Sequence, residues 1–117
     1  MSKIKINVLI KTKEEEKSDV ITAIYKEKEH LLIYKETDEK NTLVKFNDQE
    51  KTLERDNNEL HMIYDFKKKI GTIFVKELNK TLKFPLETQK IKEEKHSISI
   101  TYLVNNDKYI FQIKYES

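Results

Sequence analysis

Residues 96–117 read HSISITYLVNNDKYIFQIKYES, two apolar/polar alternations on either side of an Asn-Asn-Asp cluster. A period of two is the mark of a strand with one face buried and one wet. In the first run the large apolar residues Ile98, Ile100 and Tyr102 have even numbers. In the second, Tyr109, Phe111, Ile113 and Tyr115 have odd numbers. Opposed residues of an antiparallel pair share a face and their numbers have a constant sum. That sum must be odd, so the connecting loop must contain an even number of residues. A two-residue Asn105-Asn106 turn sets Tyr102 against Tyr109 and Ile100 against Phe111. A four-residue loop, the expected length, sets Tyr102 against Phe111 and Ile100 against Ile113. A three-residue loop would bring Thr101 onto the face of Phe111 and is excluded.

The same alternation extends outward from this hairpin. Ile4, Ile6, Val8 and Ile10 alternate with mostly polar residues, as do Leu60, Met62, Tyr64 and Phe66, and Leu82, Phe84 and Leu86. Weaker strand candidates cover 19–26, 29–36, 42–47, 50–56 and 70–77. The polar clusters between them, such as KEK, TDEKN, NDQ, DNNE and LNK, have hairpin length. Connections this short hold no crossover helix, so neighbouring strands should be antiparallel. With one glycine and one proline in the chain, turns that need positive φ must mostly use Asn or Asp, and Asn57-Asn58 and Asn105-Asn106 suit that role. Gly71 suggests a bulge or a close backbone approach, and Pro85 an edge or a distorted pairing. The expected fold is all-β: one domain over residues 1–117, an antiparallel up-and-down meander barrel of about eight strands. Closure removes the exposed edges that aromatic-rich strands would otherwise present.

Composition narrows the function. Of 117 residues, 38% are charged, and 23 cationic side chains nearly balance 21 anionic ones, so no strong field advertises a polyanion. Arg55 is the lone arginine, which speaks against base-edge recognition by guanidinium forks. Without cysteine there is no disulfide, thiolate metal site or cysteine nucleophile. One glycine cannot build a phosphate-cradling loop or a nucleophile elbow. No apolar leader opens the chain, and its longest apolar run is Leu31 to Tyr34, so the default location is the cytoplasm and no membrane is expected.

The remaining chemistry-bearing residues have bland readings. His30, His61 and His96 lack a second ligand at metal spacing, and His61 sits at wet parity with Glu59 and Asp65. Glu54 and Asp56 share a strand face, where a cation or lysines could meet them. Lys67-Lys68-Lys69 falls at a turn. The six tyrosines could stack bases, but at core-facing parity beside isoleucines they read as core. Arg55 stands out because it shares parity with Leu53 and so points inward. It is either a buried cap paired to carbonyls, a hydroxyl or a carboxylate, or a bidentate clamp for a ligand's carboxylate or phosphate. If the strand is shorter, Arg55 is solvated.

Two segments, LERDNNELHMIYDF and ISITYLV…YIFQIKY, resemble the YwiB-like family of small bacterial proteins, and the resemblance extends loosely along nearly the whole chain. In GTIFVKELNKTLKFPLET, Leu78, Asn79 and Lys80 stand where the family commonly has glycines. The resemblance implies an eight-stranded calycin (lipocalin-like) barrel and no established activity. The expectation is a binder rather than an enzyme, with no cofactor and no metal. Its ligand, a small apolar or acidic molecule, would lie between Met62, Tyr64, Ile100, Tyr102, Phe111 and Ile113, with Arg55 holding an acidic group. The alternative is a filled barrel that serves as a scaffold or protein-interaction module, using outward residues such as Leu9, Ile63 and Ile110. Single-stranded nucleic acid is a weaker third option.

Overall fold

The computed structural model describes residues 2–37 and 40–116, so Asp38 and Glu39 of the TDEKN turn lie outside the described residues, as do Met1 and Ser117. Eleven strands follow one another: β1 (Ser2–Lys11), β2 (Glu16–Lys26), β3 (Leu31–Lys35), β4 (Leu43–Asn47), β5 (Thr52–Asp56), β6 (Leu60–Asp65), β7 (Ile70–Val75), β8 (Lys80–Pro85), β9 (Glu87–Glu94), β10 (Ser97–Val104) and β11 (Asp107–Tyr115). All pair antiparallel in one sheet of order β8-β7-β6-β5-β4-β3-β2-β1-β11-β10-β9. Each neighbour but one is the next strand in the chain, as connections of hairpin length require. The exception is the β1–β11 ladder, in which Ile6 faces Tyr115 and Ile10 faces Phe111.

The sheet's two outer strands, β8 and β9, are consecutive in the chain, joined through Leu86. The sheet therefore curls into a nearly closed barrel whose seam follows one long stretch of chain, broken at Pro85-Leu86. The first half of this stretch pairs with β7 and the second with β10. Across the seam, Thr88 Oγ1 donates to the Phe66 carbonyl at 2.7 Å, while the Leu86 N–H extends the β7–β8 ladder to the Lys69 carbonyl at 3.2 Å. The buried Lys51 ammonium reaches the Glu93 carboxylate and the Asp48 carbonyl.

Strand number corrects the expectation of about eight. All ten segments read from the sequence are strands, more than the eight expected to form the barrel, and the eleventh is β9, ETQKIKEE. It carries one large apolar residue, Ile91, and gives no period-two signal because it is a mostly exposed edge. Pro85 lies on an outer strand, where a missing N–H costs no ladder bond.

The C-terminal hairpin keeps the even parity but not the expected four-residue loop. Tyr102 faces Tyr109 and Val104 faces Asp107, leaving the two-residue turn Asn105-Asn106. Both asparagines have positive φ, 52° and 69°, the type I′ geometry whose twist matches that of the strands. Asn57-Asn58 works differently. Neither has positive φ; instead Asn57 Oδ1 accepts from the N–H groups of Glu59 and Leu60, both at 2.9 Å. Among the described residues positive φ falls on four asparagines and also on His30, Lys51 and Lys69.

The core follows the parity read from the sequence at Ile6, Val8, Leu53, Ile98, Ile100, Phe111 and Ile113, all buried; Leu32 and Phe46, on strands whose inward parity the sequence left open, are buried as well. Among the described residues no helix is long and apolar enough to cross a membrane.

Candidate ligand pocket

β6, β7 and β8 bring their core-facing side chains into register at the outer end of the sheet. Tyr64 lies opposite Gly71, which lies opposite Phe84; Met62, Ile73 and Leu82 form the next row. Gly71 has ordinary negative φ, so its role is space. The Phe84 ring lies over it so closely that a Cβ there would sit 2.1 Å from Phe84 Cζ. This is the close approach expected of that glycine, and it lets Phe84 lie flat and meet Tyr64 edge-on, with centroids 5.9 Å apart.

Across the seam, Tyr102 and Tyr109 are cross-strand partners whose rings stack at 5.4 Å and 17°. Tyr102 also packs against Tyr64 at 6.1 Å and against Phe66 at 5.0 Å. Because β8 has no strand on its outer side, a slot of about 460 Å³ opens between it and the β10–β11 turn. Its walls are four aromatic rings (Tyr64, Phe84, Tyr102, Tyr109) with Ile73, Leu82 and Val104. Lys83 and Asn105 complete the lining. This volume falls in the range of small-molecule sites, and so does its mix of many apolar groups with few polar ones. Leu82, on the core-facing side, is nevertheless 57% exposed, since nothing covers this end of β8.

The seven residues expected to hold a ligand divide. Tyr64 and Tyr102 line the slot. Met62 is buried beside it, its sulfur 3.8 Å from the Tyr64 hydroxyl. Ile100, Phe111 and Ile113 belong to the packed core instead, with Phe111 edge-on to Phe46 at 5.5 Å. The barrel at their level is filled.

Arg55 points inward, as its parity with Leu53 implies, and its guanidinium is engaged. Nε and Nη2 donate to the two carboxylate oxygens of Glu36 at 2.5 and 2.9 Å, a bidentate fork. Burial works against its charge, but the Glu36 carboxylate outweighs burial, so the proton is held more tightly than usual. The Tyr64 hydroxyl is adjacent. Burial raises its pKa, and Arg55 partly offsets the rise. Tyr102 is raised more strongly, again first by burial. These phenols stay neutral at physiological pH, and the Arg55 guanidinium already has its anion.

Outside the slot, polar clusters satisfy themselves. His61 bridges Glu54 (Nε2–Oε1 2.9 Å) and Asp56 (Nδ1–Oδ1 3.2 Å) on the outer face, and Lys76 meets Asp56 at 2.8 Å. The Lys76 hydrogen bond, joined by that of His61, outweighs desolvation and holds the Asp56 carboxyl below its ordinary range. Among the described residues no group of three or more His, Asp or Glu could hold a metal ion. At the barrel's other end a polar pocket of about 420 Å³ includes Asp48, which accepts from the Tyr25 hydroxyl at 2.9 Å and lies 3.5 Å from His30. Of Lys67-Lys68-Lys69, Lys67 donates to the Gln49 carbonyl at 2.8 Å across a turn.

Ile73, Leu82, Lys83, Phe84, Val104 and Tyr109 were not expected at a site. Leu82 and Phe84 carried the right parity, and Pro85 pointed to an edge or a distorted pairing, but neither signal says that a slot opens beside it. No protein-family model matches the chain, no curated protein is detectably similar to it, and no solved structure matches it.

Proposed function

We propose that this chain is a small-molecule binding protein, not an enzyme, that takes a flat apolar compound into the slot between β8 and the β10–β11 turn. The observation that carries this reading is the lining: four aromatic rings around about 460 Å³, next to a core that is otherwise filled. Preformed aromatic walls lose little entropy on binding, and rings stack on them with roughly 0.5–1.5 kcal/mol per pair beyond burial. On this reading the barrel is a calycin of the YwiB-like kind working in the cytoplasm; the meander order and the near closure support the barrel part of this reading.

The test is fluorescence titration with N-phenyl-1-naphthylamine, a neutral dye that brightens in apolar sites. Saturable one-site binding is expected, weakened at least tenfold by Leu82→Glu; the position is 57% exposed, so circular dichroism of the variant should match the wild type. Equal binding by the variant would place the dye elsewhere. A filled scaffold that meets a protein partner is the second reading, favoured by the packing of Ile100 and Ile113 at 0% exposure. It is the reading left if no dye binds.

A further inference from the structure

Ligand charge is the next question, and it rests on the slot being a ligand pocket. The sequence put an anion-holding role on Arg55, but Glu36 already holds the Nε–Nη2 edge of its guanidinium. A ligand acid seeking that edge would have to displace an intramolecular carboxylate already held by two hydrogen bonds. The cation left over is Lys83. It is the one charged side chain on the slot's lining, which holds no carboxylate.

The register explains why Lys83 is unneutralised. Its cross-strand partner on β7 is Thr72, and the next residue across, on β6, is Ile63. Its same-face neighbours along β8 are Thr81 and Pro85. The positions nearest to it in the sheet hold neutral residues, and among the described residues Lys83 has no ion pair or hydrogen bond. Two other lysines, Lys76 and Lys40, have acidic partners, Asp56 and Glu59. With no strand beyond β8, the four-carbon stem of Lys83 is free to fold over the edge and bring its ammonium to the slot's rim.

We infer that the slot selects planar aromatic acids: the ring system lies among Phe84, Tyr102 and Tyr109, and Lys83 takes the anionic group. Lys83 is a specificity-determining residue in this arrangement, and the apolar walls supply most of the affinity.

The test compares N-phenyl-1-naphthylamine with 1-anilinonaphthalene-8-sulfonate, two dyes with the same ring skeleton that differ by one sulfonate. The wild-type chain should bind the sulfonate roughly three- to fivefold more tightly in low salt, as one partly solvated ion pair allows. That preference should fade as salt screens it. Lys83→Met should abolish the preference and Lys83→Glu should reverse it. If the neutral dye binds and neither Lys83 variant moves the ratio of the two affinities, the inference fails and the pocket reading stands. If neither dye binds, both fail.

Discussion

Arg55 and Glu36 face each other across 19 residues of sequence, the one from β5 and the other from just beyond β3. Their side chains are 28% and 18% exposed, so the pair is only partly desolvated. Removing either partner leaves a half-buried charge alone, which costs more than removing both. Arg55→Met and Glu36→Gln are each expected to destabilise by about 1–2 kcal/mol, discounted from the fully buried case for solvent access. The double variant should lose less than the sum, and a urea-denaturation double-mutant cycle measures the difference. Strictly additive losses would show the fork to be energetically idle. That Arg55 points inward was legible from its parity with Leu53. Its partner was not, because Glu36 fell at the last position of the 29–36 candidate and alternation gives a face, not the residue met across the barrel.

At the scale of elements, alternation located the strands well wherever one face is buried. It failed at β9, because an edge strand exposed on both faces needs no alternation and has charges on most of its length. It also left the hairpin loop open between two even lengths. Parity constrains only whether a residue faces in or out, and backbone conformation at Asn105 and Asn106 makes the choice. The same conformation gives a prediction. Asn106, at φ 69°, is where the type I′ turn most favours glycine. Asn106→Gly should raise stability by about 0.5 kcal/mol, whereas Asn106→Val should lower it by about 1–2 kcal/mol through the cost of the left-handed region. Thermal denaturation of the two variants, compared with wild type, decides the sign of each. The slot was the least legible part, since its existence depends on which strand is left unpartnered, a property of the whole sheet rather than of any segment.

For the whole molecule, the tyrosines make stability depend on alkaline pH. Burial, the first cause in every case, pushes Tyr34, Tyr64, Tyr102 and Tyr115 upward. Tyr25 is pushed up to about 12 by burial and by its hydrogen bond to Asp48. A phenol whose folded pKa lies above its unfolded value near 10 holds its proton longer when folded. Its contribution is therefore complete below about pH 10 and is lost as pH rises from there towards the folded value. Between those limits Tyr34 and Tyr102, both buried, should each remove about 1.4 kcal/mol per pH unit. Tyrosinate absorbance followed against pH should lag behind that of the urea-unfolded chain, with most of the rise coming in one step at unfolding. A folded-state curve that overlays the unfolded one would contradict the burial of these rings.

Read as a ring, the sheet order β9-β10-β11-β1 through to β8 is the chain order itself, cut at Leu86 instead of at the chain's ends. Every ladder except β1–β11 joins strands that leave the ribosome one after the other, and can zip as a local hairpin. Only β1 must wait for the last strand, so a single non-local ladder turns a linear meander into an enclosed molecule. The loop-closure entropy of folding is concentrated there. Until β11 arrives, Ile4, Ile6, Val8 and Ile10 belong to a strand paired on one side only, and the slot's Tyr102–Tyr109 wall does not yet exist.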